Sequence, residues 1–333
     1  MGRLLAPPLA AFLFLGLLLP SLLALVPRAQ AAETPAYIAL GDSLAFGVGV
    51  SDPSTGSYVA LTSDVLRTSE RYRERGLQLI NLSAPGATSG DLLLPDGQLD
   101  SAVKEIRDRQ QDTSSADDNV EIISIDIGGN DLLSLTSRES PCFSDSAAEA
   151  CLQRFGSVLA DLHDNLTEAL RRLREAAPDA GIFVIDLYNP YSGTGNPLEP
   201  IAGLAVQQLN GVIGAVSADA ELQVKMADIF QLFQGRGRQW IAADGLHPNE
   251  KGYAVMAEVL LAAIQGRQVS IPADLLAETP APVAPPSDGS VTADSGSGSD
   301  SDSLLLLAIA VPVSFAAGLL ISVAYFLARG RSA

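Results

Sequence analysis

Histidine and cysteine are scarce in this chain, two of each among 333 residues. That scarcity argues against zinc, because a zinc site normally takes three or four Cys, His or carboxylate ligands. Basic residues are also in deficit. Lys and Arg number 21 against 39 Asp and Glu, for a formal net charge of −18, and phosphate binding needs a basic face, so nucleic acid is excluded as a partner. A dinucleotide fingerprint is missing, since Gly47-Val48-Gly49 has no third glycine. No serine occupies a Gly-x-Ser-x-Gly elbow, which argues against an ordinary α/β-hydrolase. No internal repeat is visible.

What the chain does have begins with two apolar ends. Arg3 precedes an uncharged stretch from Leu4 to Val26, and Ala29-Gln30-Ala31 follows. This order reads as a secretory signal over residues 1–31, cleaved after Ala31. Its apolar part exceeds the usual h-region of about 7–15 residues, which leaves an uncleaved N-terminal anchor as the alternative. Residues 304–328 carry no charge and read as a transmembrane helix, long enough at about 1.5 Å per residue to cross a hydrocarbon core of roughly 30 Å. Arg329 and Arg331 follow it, so the positive-inside rule makes 329–333 a short cytoplasmic tail and puts everything before Leu304 outside. Residues 268–303 turn to Pro, Ala, Ser, Gly and Asp and end in "DSGSGSDSDS", a composition too poor in apolar surface to fold. Residues 33–267 remain as one domain, large enough for a full core. Outside the cytoplasm, Cys142 and Cys151 read as one local disulfide pinning their loop.

Within that domain five short apolar runs, 36–40, 77–82, 120–127, 181–187 and 223–229, alternate with stretches of helical spacing at 58–69, 101–110, 158–177, 201–216 and 249–264. Leu159, Leu162, Leu166, Leu170 and Leu173 give the third stretch a strong apolar stripe. Strands alternating with helices imply right-handed crossovers and a parallel sheet covered on both faces, and continuous apolar runs fit strands buried on both sides. Ligands of such sheets bind beyond the carboxyl ends of the strands. Those ends hold Gly41-Asp42-Ser43, "SAPGATSGD" (83–91), Gly128-Gly129-Asn130-Asp131, "YNPYSGTGN" (188–196) and, after a loop, "DGLHPNEKGY" (244–253).

Ser43 needs a base to act as a nucleophile. His163 lies inside the leucine-striped helix and reads as a surface residue, whereas His247 lies in a loop three residues after Asp244. A carboxylate-held imidazole suits general base and then general acid work. Gly86 offers an unobstructed backbone N–H and Asn130 a side-chain amide, the donors an oxyanion needs. Each block also has a plain structural reading. Ser43 reads equally as a helix cap, Asn130 and Asp131 as caps of the next helix, and Pro248-Asn249 as a rigid lead-in with a cap.

Taken in order, Gly41-Asp42-Ser43-Leu44, Gly86, Gly128-Gly129-Asn130-Asp131 and Asp244-Gly245-Leu246-His247 resemble the four blocks of the SGNH (GDSL) hydrolase family, over about residues 36–265. The resemblance implies a flavodoxin-like three-layer α/β/α fold with a five-stranded parallel sheet in the order 2-1-3-4-5. It implies Ser43 as nucleophile, His247 as base, Asp244 orienting it, and an oxyanion hole of the Ser43 N–H, the Gly86 N–H and the Asn130 amide. It implies no metal or organic cofactor. The expected activity is carboxylic ester hydrolysis through an acyl-enzyme, on a small-molecule, lipid or glycan ester. A glycan O-deacetylase of the same mechanism and a non-catalytic surface-displayed binding module are the alternatives. Loops after Ser43, around Cys142–Cys151, at 189–197 and at 231–243 are expected to shape the pockets, with Trp240 either a wall or ordinary packing. Asn81 and Asn165 head glycosylation sequons, Asn81 at an expected buried strand end. No feature of the sequence indicates an oligomeric state.

Overall fold

The computed structural model describes residues 34–111, 119–143 and 147–277. The signal expected at 1–31, the span expected at 304–328 and residues 278–303 of the expected spacer lie outside the described residues. Residues 268–277, expected not to fold, instead pack on the domain, with Ile271 and Leu275 against the core and a helical turn at Ala273–Leu276, because these apolar side chains find a surface to bury on. No helix among the described residues is long and apolar enough to cross a membrane.

Five strands, β1 (Ala36–Gly41), β2 (Gln78–Asn81), β3 (Val120–Asp126), β4 (Gly181–Ile185) and β5 (Val224–Ala227), form one parallel sheet in the order β2-β1-β3-β4-β5. Every residue of β1 is buried, as continuous apolar character demands at the sheet centre. The outer strands depart from the expectation of burial on both sides. Along β2 and β5 exposed and half-buried residues predominate, because an edge strand has one neighbour and lies at the margin of the helical layers. Asn81 is accordingly exposed rather than buried.

Helices α1 (Tyr58–Thr68) and α5 (Glu250–Gln265) pack together, while α3 (Ala148–Ala176) packs against α2 (Gln98–Gln111) and α4 (Glu199–Ser217). The sheet between these two groups completes three layers. The α3 stripe buries Phe155, Val158, Leu162, Leu166, Leu170 and Leu173, each such side chain contributing about 1.5–3 kcal/mol by leaving water. This helix begins ten residues earlier than its leucine spacing suggests, because Gly156-Ser157 resembles punctuation but is helical. Cys151 therefore sits in the first turn of α3, and its disulfide ties that turn to the short 3-10 turn Pro141–Phe143. Both cysteines pack with Leu135, Phe155, Val158 and Ala205 in a small cluster beside the main core.

Candidate active site

The chain leaves β1 through Asp42, whose Oδ1 accepts the Leu44 N–H at 3.0 Å and so caps the helical turn Ser43–Phe46. The cap is thus Asp42, and Ser43 is the first residue of the turn with its hydroxyl free for other work. Tyr253 of α5 braces the end of this segment by donating its hydroxyl to the Val48 carbonyl at 2.6 Å.

His247 reaches the same place from the loop before α5. Asp244 Oδ1 accepts the N–H groups of Leu246 (2.9 Å) and His247 (3.0 Å), so one carboxylate folds the loop. Its Oδ2 lies 2.7 Å from His247 Nδ1, and His247 Nε2 lies 2.9 Å from Ser43 Oγ. Tyr188 steadies the loop by donating to the Leu246 carbonyl at 2.6 Å, and Asn249 caps α5 through the N–H groups of Lys251 and Gly252. The plain reading of this segment as a helix lead-in therefore holds together with the chemical one. Gly49 makes the approach of the two loops sterically feasible. At φ +107° it adopts a conformation that side chains resist, and a Cβ there would lie 2.4 Å from the Pro248 carbonyl oxygen.

Burial pushes the Asp244 carboxyl up, but the Leu246 N–H, the His247 ring and the His247 N–H outweigh it and hold the group below the usual carboxylate range. An ionised Asp244 selects the tautomer with hydrogen on Nδ1, which leaves the Nε2 lone pair to accept the Ser43 hydroxyl proton.

Gly86 stands in the turn closed by the Ala87 N–H on the Ala84 carbonyl, with nothing within 4 Å of where a Cβ would be, so the approach to its backbone is open. Asn130 lies in the first turn of the short helix Gly129–Leu133, where its Nδ2 donates to the Ala87 carbonyl at 2.9 Å and to Asp42 Oδ2 at 3.2 Å. It does not cap that helix. The N-cap position belongs to Gly128, which makes no side-chain cap. Asp131 instead crosses to the loop after β2, accepting the Ser89 hydroxyl at 2.5 Å and the Ser89 N–H at 2.8 Å. The three strand-end loops that carry Ser43, Gly86 and Asn130 are thus hydrogen-bonded to one another.

Beside this polar line opens a cavity of about 170 Å³. Its polar end carries Asp42, Ser43, Asn130 and His247, and its walls are apolar, with Leu132, Leu133, Leu187, Ile201, Ala202 and Val206 among them. Of the loops expected to shape it beyond the Ser43 turn, the one after β4 does so through Pro190 and Tyr191. Among the described residues, neither 142–151 nor 231–243 lines the cavity; the disulfide supports its wall from behind, through Ala205. Trp240 is ordinary packing. It is fully buried, sits edge-on to Phe233, and donates Nε1–H to the Leu275 carbonyl. His163 is an exposed helix residue beside Asp164, as its position in the stripe implies.

Residues 39–255 match the profile of the GDSL-like Lipase/Acylhydrolase family. The chain belongs to that family. As a GDSL-like acylhydrolase it is a carboxylic ester hydrolase, and Ser43, Gly86, Asn130, Asp244 and His247 all fall within the matched residues. The spore germination lipase LipC of Bacillus licheniformis is 25% identical over 233 residues, covering 69% of this chain and 97% of that protein. The crystal structure of the lipase Lip_vut3 from a goat rumen metagenome shares the fold at a TM-score of 0.51 and 22% identity, covering 69% of this chain and 97% of the other.

Gly49 and Tyr253 of this GDSL-like site escape sequence reading, as does Asp126, buried at the end of β3 behind it. Asp126 alone carries a local signal, a carboxylate inside the apolar run "IISIDIGG" where a buried strand would take Val or Ile.

Proposed function

We propose that the protein is a membrane-tethered, extracytoplasmic serine esterase of lipase type that cleaves esters of aliphatic acids, with Ser43 as nucleophile. The observation that carries this reading is the continuous line from Asp244 Oδ2 through the His247 ring to Ser43 Oγ, at 2.7 and 2.9 Å, opening onto an apolar cavity. Ser43 Oγ attacks the ester carbonyl as its proton passes to His247 Nε2. The carbonyl oxygen becomes an oxyanion held by the N–H groups of Ser43 and Gly86 and the Asn130 amide. Collapse expels the alcohol, which takes the proton from His247, and leaves the acyl group on Ser43. Water then enters, gives its proton to Nε2 and releases the acid, and the proton returns to Ser43.

The cavity supports an acyl chain longer than acetyl. A volume of about 170 Å³ is several times the roughly 30 Å³ that one water takes in the liquid, which leaves room for an aliphatic chain of several carbons. The address follows from the ends of the sequence. A signal over 1–31 exports the chain, residues 304–328 cross the membrane, and Arg329 and Arg331 keep the tail in the cytoplasm.

A fluorophosphonate probe and a series of nitrophenyl esters test the proposal. The probe labels the wild type and not Ser43→Ala, and kcat/KM rises from the acetyl ester to a maximum at a longer aliphatic ester. Labelling that survives Ser43→Ala refutes the nucleophile. A maximum at acetyl, or turnover confined to acetylated sugars, refutes the aliphatic reading in favour of deacetylation.

A further inference from the structure

Behind Ser43 lies a cluster that the Ser43–His247–Asp244 line does not use. Asp126 ends β3 fully buried, and it presses so close to the end of β1 that a Cβ on Gly41 would stand 2.3 Å from its Oδ1. Oδ1 accepts the Tyr58 hydroxyl at 2.6 Å. Oδ2 is sealed from solvent and has no hydrogen-bond partner among the described residues. The Asp42 backbone N–H and the Asp42 carboxyl both lie close to the Asp126 carboxyl, and Asp42 is itself only 2% exposed.

Two ionised carboxylates in contact inside a dry core repel strongly, and a buried acceptor without a partner is costly. One shared proton removes both penalties. The charge settles on Asp42, which already accepts the Leu44 N–H and the Asn130 amide and lies within the field of His247. We propose that Asp126 is a neutral carboxylic acid donating through Oδ2–H to the Asp42 carboxylate, and that it is a positioning residue holding Asp42 where Asp42 fixes the Asn130 amide. The kinetic part of this inference rests on the reading of Asn130 as an oxyanion donor; the protonation does not.

Burial and the neighbouring Asp42 charge push Asp126 well above the carboxylate range, and burial raises Asp42 as well. The other ionisable groups facing the pair are Tyr37, Tyr58, Tyr188 and Tyr253, all pushed up by their own burial and hence neutral, together with Asp131 and His247. The direction of the Asp126 shift agrees with the shared proton.

The test is made on the full chain in detergent, by infrared difference spectroscopy and by kinetics on a soluble ester. Wild type minus Asp126→Asn shows the carbonyl band of a neutral carboxylic acid at pH 8, shifting in heavy water. Asp126→Ala lowers kcat about 10–100-fold with KM nearly unchanged, the scale expected of a misplaced catalytic group. Asp126→Asn, whose Nδ2–H replaces the hydroxyl donor, recovers most of that loss. In an Asn130→Ala background Asp126→Ala costs little more, since both act through one amide. Absence of the band overturns the proposal, as does a folded Asp126→Ala with wild-type kcat, no recovery in Asp126→Asn, or full additivity with Asn130→Ala. If Asp126→Ala fails to fold, the Asn spectrum decides. If the wild type turns over no ester, the band still decides where the proton sits, so failure of the esterase reading is told apart from failure of this one.

Discussion

Both carboxylate oxygens of Asp244 act on one loop, Oδ1 gathering the Leu246 and His247 N–H groups and Oδ2 taking the ring. In the proposed mechanism Asp244 orients and His247 reacts, so their removal is expected to have unequal consequences. His247→Ala is expected to lose about 10⁶ in kcat and Asp244→Ala about 10⁴, the scale of a general base against its orienting carboxylate. Asn130→Ala, which leaves both in place, loses about 10²–10³. Turnover of a soluble nitrophenyl ester by each variant, with circular dichroism to show that the fold persists, checks the order; an Asp244→Ala as impaired as His247→Ala contradicts the division of labour. These residues were legible because Asn130 stands just past an apolar run and Asp244 and His247 form a carboxylate–imidazole pair three residues apart. Tyr253 was not, since its partner Val48 lies 205 residues away in the chain. Gly49 read as a failed nucleotide motif because the loop that needs its missing side chain, at Pro248, is equally remote.

At the scale of elements, the site exists because parallel strands deliver their ends to one edge, and the polar groups there stitch neighbouring ends together. Asp186 does this between β4 and β5, its Oδ1 accepting the Ile229 N–H at 2.6 Å. Burial, with the nearby Asp228 adding to it, pushes this carboxyl up to about 8. Between an unfolded value near 4 and that folded value, the unfolded chain is ionised while the folded one keeps its proton. The folded state then binds more protons, so stability falls as pH rises. The contribution is whole below pH of about 4 and is lost as pH climbs toward 8. Asp186→Asn keeps an acceptor for Ile229 and cannot ionise, so its melting temperature should fall less between pH 5 and pH 9 than that of the wild type, at roughly 2–4 °C per kcal/mol. Parallel curves from thermal scans assign the loss elsewhere, Asp126 being the next group of the same sign. Alternation of runs and stripes made the parallel sheet and its two covering layers readable, while the strand order came only with the family resemblance. The burial of β2 and β5 was not, because edge position depends on the sheet, and the start of α3 was not, because tertiary packing around Phe155 and the disulfide overrides the Gly156-Ser157 break.

For the whole molecule, the question is what a spacer and an apolar tail add to a site whose hydrogen-bonded line runs only from Ser43 to His247. Ending the chain after Ser303 leaves every residue of that line in place, so kcat/KM on a soluble ester should not change. The proposed tether acts instead through concentration. Leu275 is tied to Trp240, so the spacer proper would begin after Ala277. A coil of the composition of 278–303 would reach on the order of 30 Å, and confinement within that distance of a bilayer corresponds to an effective concentration on the order of millimolar. The full chain should therefore stay in the membrane pellet through an alkaline wash, and should hydrolyse an ester embedded in the same vesicles faster than the shortened chain at equal bulk concentration. The advantage should shrink as the vesicle-borne ester is replaced by a soluble one. A full chain that washes off, or a shortened chain equally fast on the embedded ester, removes the tether from the function and leaves the acyl cavity to select its substrate unaided.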